Sequence, residues 1–276
     1  MKQDFPKDTE KYKLIVSDFD GTLAGSDHLI SQKVRVAIKR WIDSGRHFTI
    51  ASGRQYEMIG QDTAVLDLKT PIIVRGGAEI IKPDGEKIYQ EVIDKKTAKE
   101  FISILTENGL KISAEIGPIL YGNFPFGVES YPQITEKPLE QIPFVDVPKI
   151  NVRVFPEKVK EIEALMDNII IPKFPTLHLV RSYNPHGMAY DVTSLKGTKH
   201  LAVLELIKYL GLTHEETVGV GDGYNDFPLL EACGLKIAMG NANDELKAIA
   251  DVVVPTLSDD GVAYLIDKLI ENPKFE

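Results

Sequence analysis

Two aspartates separated by a single residue, Asp18 and Asp20, begin one residue after the apolar run Leu14–Val16. The apolar run predicts a short buried strand, so both carboxylates are expected just past its end. Open parallel sheets bind their ligands at that edge. A carboxylate there can act as a nucleophile or bind a hard cation, and its neighbour can transfer a proton. An Asp-Gly turn without chemistry would also explain these residues, so other parts of the chain must decide.

A hydroxyl and a lysine are the next candidates, and each lies beside a predicted element. Ser52 and Gly53 follow a second apolar strand, where a hydroxyl and free backbone N–H groups at a helix start can hold an oxyanion. Lys196 precedes a predicted apolar helix, and the helix dipole disfavours a cation there unless that cation faces an anion. Lys199, one turn further along, is the competing candidate for the same role.

The densest acidic segment follows another predicted strand, 217–220. It contains Asp222 and Asp226, with the amide of Asn225 beside them. Such a cluster is costly unless a cation offsets the repulsion, although an exposed turn with Asp226 as a helix cap is the alternative. Because the carboxyl ends of parallel strands meet at one edge of a sheet, the four motifs together predict a single site.

The elements that must position these residues alternate between strand and helix. Segment 14–74 reads as β-α-β-α-β, and the same alternation resumes at 197, which predicts right-handed crossovers and a parallel sheet. A Pro-Asp-Gly turn at 83–85 marks a hairpin, after which the chain is richer in proline and of mixed character. The predicted fold class is therefore α/β, a Rossmann-like parallel-sheet core with an inserted α+β domain. The predicted core is 1–83 plus 190–276, and the predicted insertion is 84–189.

Composition narrows the classes of partner. The chain has 276 residues and a net charge of −9, which argues against nucleic acid as an obligate partner. The single cysteine, Cys233, excludes an intrachain disulfide and a cysteine-based zinc cluster, so a reducing cytoplasm is the expected location. Segment 1–11 lacks the apolar core of a signal peptide, and no apolar run is long enough to predict a membrane span.

The order of the motifs resembles the haloacid dehalogenase superfamily of phosphohydrolases. The resemblance rests on Asp18–Thr22, Ser52, Lys196 and Gly221–Asp226, each in the expected order. It is closest to the Cof-like branch, in which a large α/β cap is inserted between the second and third motifs. Further runs typical of that branch lie near the C-terminus: Ala238–Ala242, Glu245–Lys247, Ala250–Asp251 and Asp259–Val262.

The resemblance implies a role for each motif residue. Asp18 is expected to attack phosphorus, and Asp20 to act as acid and then as base. The expected ligands of Mg²⁺ are Asp18, the backbone carbonyl of Asp20, Asp222 and Asp226. The phosphoryl oxygens are expected to bind Ser52, Gly53, Lys196 and Asn225. The implied reaction is Mg²⁺-dependent hydrolysis of a small phosphorylated metabolite, with sugar phosphates the leading class, through an aspartyl phosphate.

The substrate and the alternatives depend on less specific features. In this branch the cap recognises the leaving group of the substrate. The candidate residues for that recognition are Arg153, Arg181 and His186. Where many relatives carry Asn-Gly-Ala after the third strand, this chain has Gly-Gly-Ala at 76–78, and Arg75 is expected to substitute in part for the missing amide. A phosphomutase of the same superfamily and a non-catalytic binding protein remain alternatives. The oligomeric state cannot be read from the motifs.

Overall fold

The strands form three sheets. The computed structural model describes residues 5–125, 127–184 and 187–270. In chain order the strands are β1 (Leu14–Ser17), β2 (His47–Ile50), β3 (Ile72–Val74), β4 (Glu79–Ile81), β5 (Lys87–Gln90), β6 (Lys111–Ile116), β7 (Ile119–Gly122), β8 (Thr135–Pro138), β9 (Lys149–Val154), β10 (Leu177–Asn184), β11 (Gly187–Ser194), β12 (Thr217–Gly221), β13 (Leu235–Ala238) and β14 (Val252–Val253).

The helices connect and cover these strands. They are α1 (Gln32–Asp43), α2 (Tyr56–Asp62), α3 (Lys95–Glu107), α4 (Val159–Leu165), α5 (Ile171–Lys173), α6 (Lys199–Leu210), α7 (Phe227–Glu231), α8 (Asp244–Ile249) and α9 (Gly261–Ile270). A π-helical turn, Met166–Ile170, joins α4 to α5. Among the described residues, no helix combines the length and the apolar character needed to cross a bilayer.

The core sheet has the order β14-β13-β12-β1-β2, and all its neighbouring strands are parallel. The interior strand β1, between β12 and β2, is buried on both faces. Leu14 and Val16 pack toward α6, α7 and α8, whereas Ile15 packs toward α1 and α9. A continuous apolar run is what such two-sided burial requires. The predicted α/β class with a parallel core sheet is confirmed.

Helix α1 shows how local sequence sets one of these layers. The Ser31 hydroxyl accepts a hydrogen bond from the backbone N–H of Val34 and so caps the helix start. Ile38 and Trp41 recur on the face that carries Val34, and all three side chains are buried against the sheet. The indole N–H of Trp41 donates to the carbonyl of His47, which ties the helix to the first residue of β2.

The largest sheet has the order β10-β11-β9-β6-β7-β8 and lies within the segment predicted as the insertion, apart from the end of β11. Its strands alternate in character. Ile112, Ile150 and other apolar residues pack with α3 and α4, and the intervening residues of β6 and β9, such as Ser113 and Asn151, line a cavity. This period of two gives the sheet one apolar and one mainly polar face.

The boundaries of the insertion show where sequence patterns were weak. The predicted hairpin is present, since β4 pairs with β5 in antiparallel fashion. Strand β11 continues through the predicted boundary at 189/190 as far as Ser194, so the division into two domains stays a prediction. Strands β6, β7 and β8 were not predicted, and β8 is mostly exposed and polar, without the alternation that would identify it.

Arg75 joins the end of β3 to the largest sheet. Its guanidinium is buried and binds the carboxylates of Glu79 and Glu115, and it also donates to the carbonyl of Gly117 at 2.6 Å. Lys87 donates to the other carboxylate oxygen of Glu79 at 2.5 Å. We call Arg75, Glu79, Glu115 and Lys87 the Arg75 cluster. Arg75 therefore contacts the inserted segment, and its substitution for the missing amide stays a prediction.

Candidate active site

The site lies where β1, β2 and β12 end. Asp18 follows β1, and its backbone N–H donates to the carbonyl of Val220 at 2.9 Å, so the loop after β1 stays in register with β12. Ser52 follows β2 after one residue and is buried. Asp222 follows β12 directly. The parallel arrangement thus brings three loops from distant parts of the chain to one edge of the sheet.

Three carboxylates converge there around one lysine. Oxygens of Asp18, Asp222 and Asp226 lie within 4.8 Å of one another. The ammonium group of Lys199 donates to Asp18 Oδ1 at 2.6 Å and to Asp226 Oδ1 at 2.7 Å. Asp18, Asp226 and Lys199 are all buried. We call these four residues the active-site cluster.

The titration of the cluster reflects burial and an excess of negative charge. Burial raises the pKa of Asp18 well above its usual range, and the nearby Asp226 raises it further. Burial and Asp226 also raise the pKa of Asp222, to about 6. Burial alone would lower the pKa of Lys199, but the Asp18 and Asp226 carboxylates more than offset this and raise it. Lys199 therefore stays charged. The active-site cluster thus contains one cation and three carboxylates.

The loop after β1 approaches the loop after β12 closely, and a glycine makes this possible. Gly21 has φ +83°, and a Cβ built on it would lie 2.2 Å from Asp222 Oδ2. Any side chain there would displace the Asp222 carboxylate. That carboxylate is held by the Thr22 hydroxyl at 3.1 Å and by the Asn241 amide at 3.2 Å. The Asp-Gly-Thr sequence thus shapes the acidic site as well as forming a turn.

The donor set suits a hard divalent cation. It consists of carboxylate oxygens alone, with neither nitrogen nor sulfur, which is the preference of Mg²⁺ and Ca²⁺. Within the cluster one cation, Lys199, stands against three carboxylates, so a bound cation would reduce the repulsion among them. Asp226 is the most occupied of the three, because Lys199 binds one of its oxygens and the backbone N–H groups of Asp222 and Gly223 donate to the other at 3.0 and 2.9 Å. Asp18 and Asp222 are therefore the better placed for direct ligation.

Lys199, rather than Lys196, is the lysine that reaches this site. Lys196 is exposed in the turn between β11 and α6, whereas Lys199 opens α6 and is buried. The expectation that Lys196 binds the phosphoryl group is therefore corrected, because Lys199 takes the position beside Asp18. The reason is the close approach of α6 to the loop after β3, where a Cβ on Gly77 would lie 2.1 Å from the backbone of Thr198. This contact sets the first helical turn, with Lys199, directly beside Asp18.

Asp20 lies apart from the three clustered carboxylates and pairs with Arg54. The carboxylate is about half exposed, and the Arg54 guanidinium binds both its oxygens, with Nε at 2.8 Å from Oδ2. Arg54 also donates to Asp62 and to the hydroxyl of Tyr131, both at 3.2 Å. A fork of this kind fixes the direction of the carboxylate. Arg54 was not predicted as a site residue, although it directly follows Gly53 in a motif already identified.

A cavity of about 360 Å³ lies between this edge and the polar face of the largest sheet. Asp18, Asp20, Gly53 and Asn225 line its inner end. Lys149, from β9, also lines it, and its ammonium donates to the Gly53 carbonyl at 2.6 Å and lies 3.0 Å from Asp191. Nothing in the local sequence indicates this role for Lys149, because it belongs to no motif.

The three predicted substrate residues differ in location. Arg153, on β9, lines the cavity, and its guanidinium lies over the ring of Phe124. Arg181 binds Glu163 and Asp167 and is absent from the cavity wall. His186 lies outside the described residues.

Comparisons with known proteins agree with this geometry. The sequence profile of the haloacid dehalogenase-like hydrolases matches residues 15–266. A putative phosphatase of Haemophilus influenzae is 34% identical over 93% of this chain and 98% of its own length. The 5-amino-6-(5-phospho-D-ribitylamino)uracil phosphatase YcsE of Bacillus subtilis is 27% identical over 92% of this chain and 94% of its own. A solved haloacid dehalogenase-like hydrolase from B. subtilis superposes with a TM-score of 0.80 at 27% identity, over 93% of this chain and 99% of the other.

Proposed function

This chain belongs to the haloacid dehalogenase-like hydrolases and is a phosphoric monoester hydrolase, and we propose that it cleaves its substrate through an aspartyl phosphate on Asp18 with the help of Mg²⁺. The observation that carries the proposal is the active-site cluster, in which Asp18 lies against a second and a third carboxylate and one buried lysine at the ends of β1 and β12. A structural turn would not require this arrangement of buried charge.

The chemistry follows from the positions of the two aspartates. Asp18 attacks phosphorus, so that a new P–O bond forms as the ester P–O bond breaks, and Asp20, which enters this step protonated, gives that proton to the departing oxygen. Water then attacks the aspartyl phosphate while Asp20 takes up a proton, and inorganic phosphate and the free Asp18 carboxylate result. Arg54 holds the Asp20 carboxylate in one direction and so limits the angles from which it can exchange protons.

Other residues bind and neutralise the phosphoryl group. Lys199, which we assign in place of Lys196, supplies a cation beside Asp18. Gly53 and Asn225 line the same pocket as Lys199 and offer backbone and amide groups, and Ser52, the residue before Gly53, offers a hydroxyl. Asp18 and Asp222 would hold Mg²⁺, with Asp226 behind them. When bound, the cation would neutralise charge and allow an anionic phosphate to approach the Asp18 carboxylate.

We propose a sugar phosphate or a related phosphorylated polyol as the substrate. The cavity is large enough for a small metabolite, and the sheet face above it carries hydroxyl, amide and charged groups. The YcsE phosphatase of B. subtilis, named for a phosphorylated ribityl compound, supports the same class. The single cysteine favours a cytoplasmic location, as proposed from the sequence.

Phosphate release tests the proposal. With an aryl phosphate and Mg²⁺, we expect Asp18→Asn to lower kcat by at least about 10³-fold, because the amide is a poor nucleophile. Removal of divalent cations by a chelator should abolish the activity of the unaltered chain, and Mg²⁺ should restore it. Asp43→Asn, on the exposed face of α1, is the matched control and should leave the rate unchanged. Equal rates for Asp18→Asn and the control would exclude the mechanism.

A further inference from the structure

Arg153 is an exposed residue of β9 that lines the cavity. Its guanidinium carbon lies 5.0 Å from the centre of the Phe124 ring, and Phe124 lines the same cavity. The ring holds the guanidinium through one face and leaves the N–H groups at its edge available as donors. Within the described part of the chain, Arg153 makes no ion pair. Its donors are therefore accessible to a molecule in the cavity.

The other two cations that line the cavity already have carboxylate partners. Arg54 binds both oxygens of Asp20, and the Lys149 ammonium lies 3.0 Å from Asp191. Lys149 is also buried and donates to the Gly53 carbonyl, so little of its hydrogen-bonding capacity is left. Arg153 differs from both, because no carboxylate of the described residues neutralises it.

The carboxylates of the cavity wall are engaged by other cations as well. Asp18 binds Lys199, and Glu115 accepts from the buried Arg75. The charges around the cavity therefore form pairs within the protein, and the positive charge of Arg153 remains over. A cleft concentrates the field of such a charge and attracts ligand groups of the opposite sign. The pairing pattern thus favours an anionic group of the ligand beside Arg153.

The position of Arg153 along β9 separates this anion from the phosphoryl group that Asp18 is expected to attack. Lys149 and Arg153 both line the cavity from β9, and Lys149 contacts Gly53 in the predicted phosphate-binding loop. At the rise of an extended strand, Arg153 lies about 13 Å further along the strand than Lys149. The group that faces Arg153 therefore belongs to the leaving group of the substrate.

We propose that Arg153 binds a second anionic group, a phosphate or a carboxylate, on the leaving group, so that the substrate is a sugar phosphate with a further charged group at its far end. Either anion offers two oxygens to the fork of a guanidinium. The inference rests on the proposed phosphatase function and deepens it by naming the chemical group that Arg153 recognises.

Two matched pairs of esters test the proposal. Fructose 1,6-bisphosphate differs from fructose 6-phosphate by a phosphate, and 6-phosphogluconate differs from glucitol 6-phosphate by a carboxylate in place of a hydroxymethyl group. We expect the unaltered chain to cleave the member with the second anion with a kcat/KM at least about 10-fold higher in one pair or both. The pair that shows the preference identifies the anion.

Arg153→Gln removes the charge and keeps a polar side chain at an exposed position, so the fold should tolerate it. We expect the preference to fall by about 10-fold or more, with kcat/KM for the member without the second anion unchanged. Arg46→Gln is the matched control, because Arg46 also lies over an aromatic ring, that of Trp41, but does not line the cavity. The control should keep the full preference.

Three results would overturn the proposal while the phosphatase assignment stood. One is cleavage of an aryl phosphate by the unaltered chain without a preference in either pair, or without cleavage of any of the four esters. Another is a preference that Arg153→Gln leaves intact. The third is an equal loss for both members of a pair in Arg153→Gln, since a role in phosphoryl binding or in folding would give that result. Failure to cleave the aryl phosphate and all four esters would instead reject the proposed function itself, and this inference with it.

Discussion

The active-site cluster and the Arg75 cluster both contain buried charges, and they are built differently. In the active-site cluster, three carboxylates face one lysine, and the pKa values of Asp18 and Asp222 are raised. In the Arg75 cluster, two carboxylates meet two cations, with a further glutamate, Glu57, 3.6 Å from the guanidinium. Burial would lower the pKa of Arg75, but Glu115 and Glu79 raise it. The active-site cluster has more carboxylates than cations, whereas the charges of the Arg75 cluster nearly balance.

The difference separates a binding site from a structural link. A cluster that is balanced internally gains nothing from a ligand and loses much when one member is removed. In a cluster with more carboxylates than cations, the carboxylates repel one another until a cation binds. Their oxygens remain available to bind that cation. Burial of charged residues alone does not distinguish the binding site from the structural link. The balance of charges and the hydrogen bonds within each cluster do distinguish them.

The largest effect is expected from Arg75→Met. This change leaves Glu79 and Glu115 buried without their main partner, and we expect a loss of about 3–5 kcal/mol in the free energy of unfolding. Urea denaturation measures it, with Arg35→Met on the exposed face of α1 as the control. Added Mg²⁺ should not restore the stability of Arg75→Met. A loss below about 1 kcal/mol would show that the Arg75 cluster is not a structural link.

A somewhat smaller loss is expected from Lys199→Met, of about 2–4 kcal/mol in metal-free buffer. The cost is lower because Asp18 and Asp222 can take up protons when the lysine is absent, as their raised pKa values indicate. Here Mg²⁺ should recover part of the lost stability, since a cation can replace the missing charge. If Mg²⁺ helped this variant no more than Arg75→Met, the contrast between the two clusters would be wrong.

The smallest effect is a pH dependence of the stabilisation by Mg²⁺. The pKa of Asp222 in the metal-free fold is about 6, above its unfolded value, so its contribution favours folding at low pH and is lost as the pH rises through 6. Mg²⁺ binds the deprotonated carboxylate. The gain in stability on adding Mg²⁺ should therefore be larger at pH 7.5 than at pH 5.5, by about 1 kcal/mol. Thermal unfolding at both pH values checks this, and an equal gain would contradict it.

Much of the core could be predicted because its signals are local. The apolar run before Asp18 predicts a buried strand, and the carboxylates past its end are near it for the simple reason that they follow it in the chain. The same holds for Ser52 after β2 and Asp222 after β12. The inserted segment was predicted less well, because strands such as β8 are exposed and lack alternation.

Short-range pattern was thus enough to locate the acidic loops and to predict a parallel core sheet, and the resemblance to a known family supplied the class of chemistry. It could not choose between Lys196 and Lys199, since that choice depends on how α6 packs against the glycine loop after β3, and Lys199 meets Asp18 across 181 positions of the chain. The position of Lys149 has the same origin, because Gly53 and Asp191 come beside it only through folding. Which partner a buried polar group finds depends on what folding brings beside it, and no stretch of sequence contains that information.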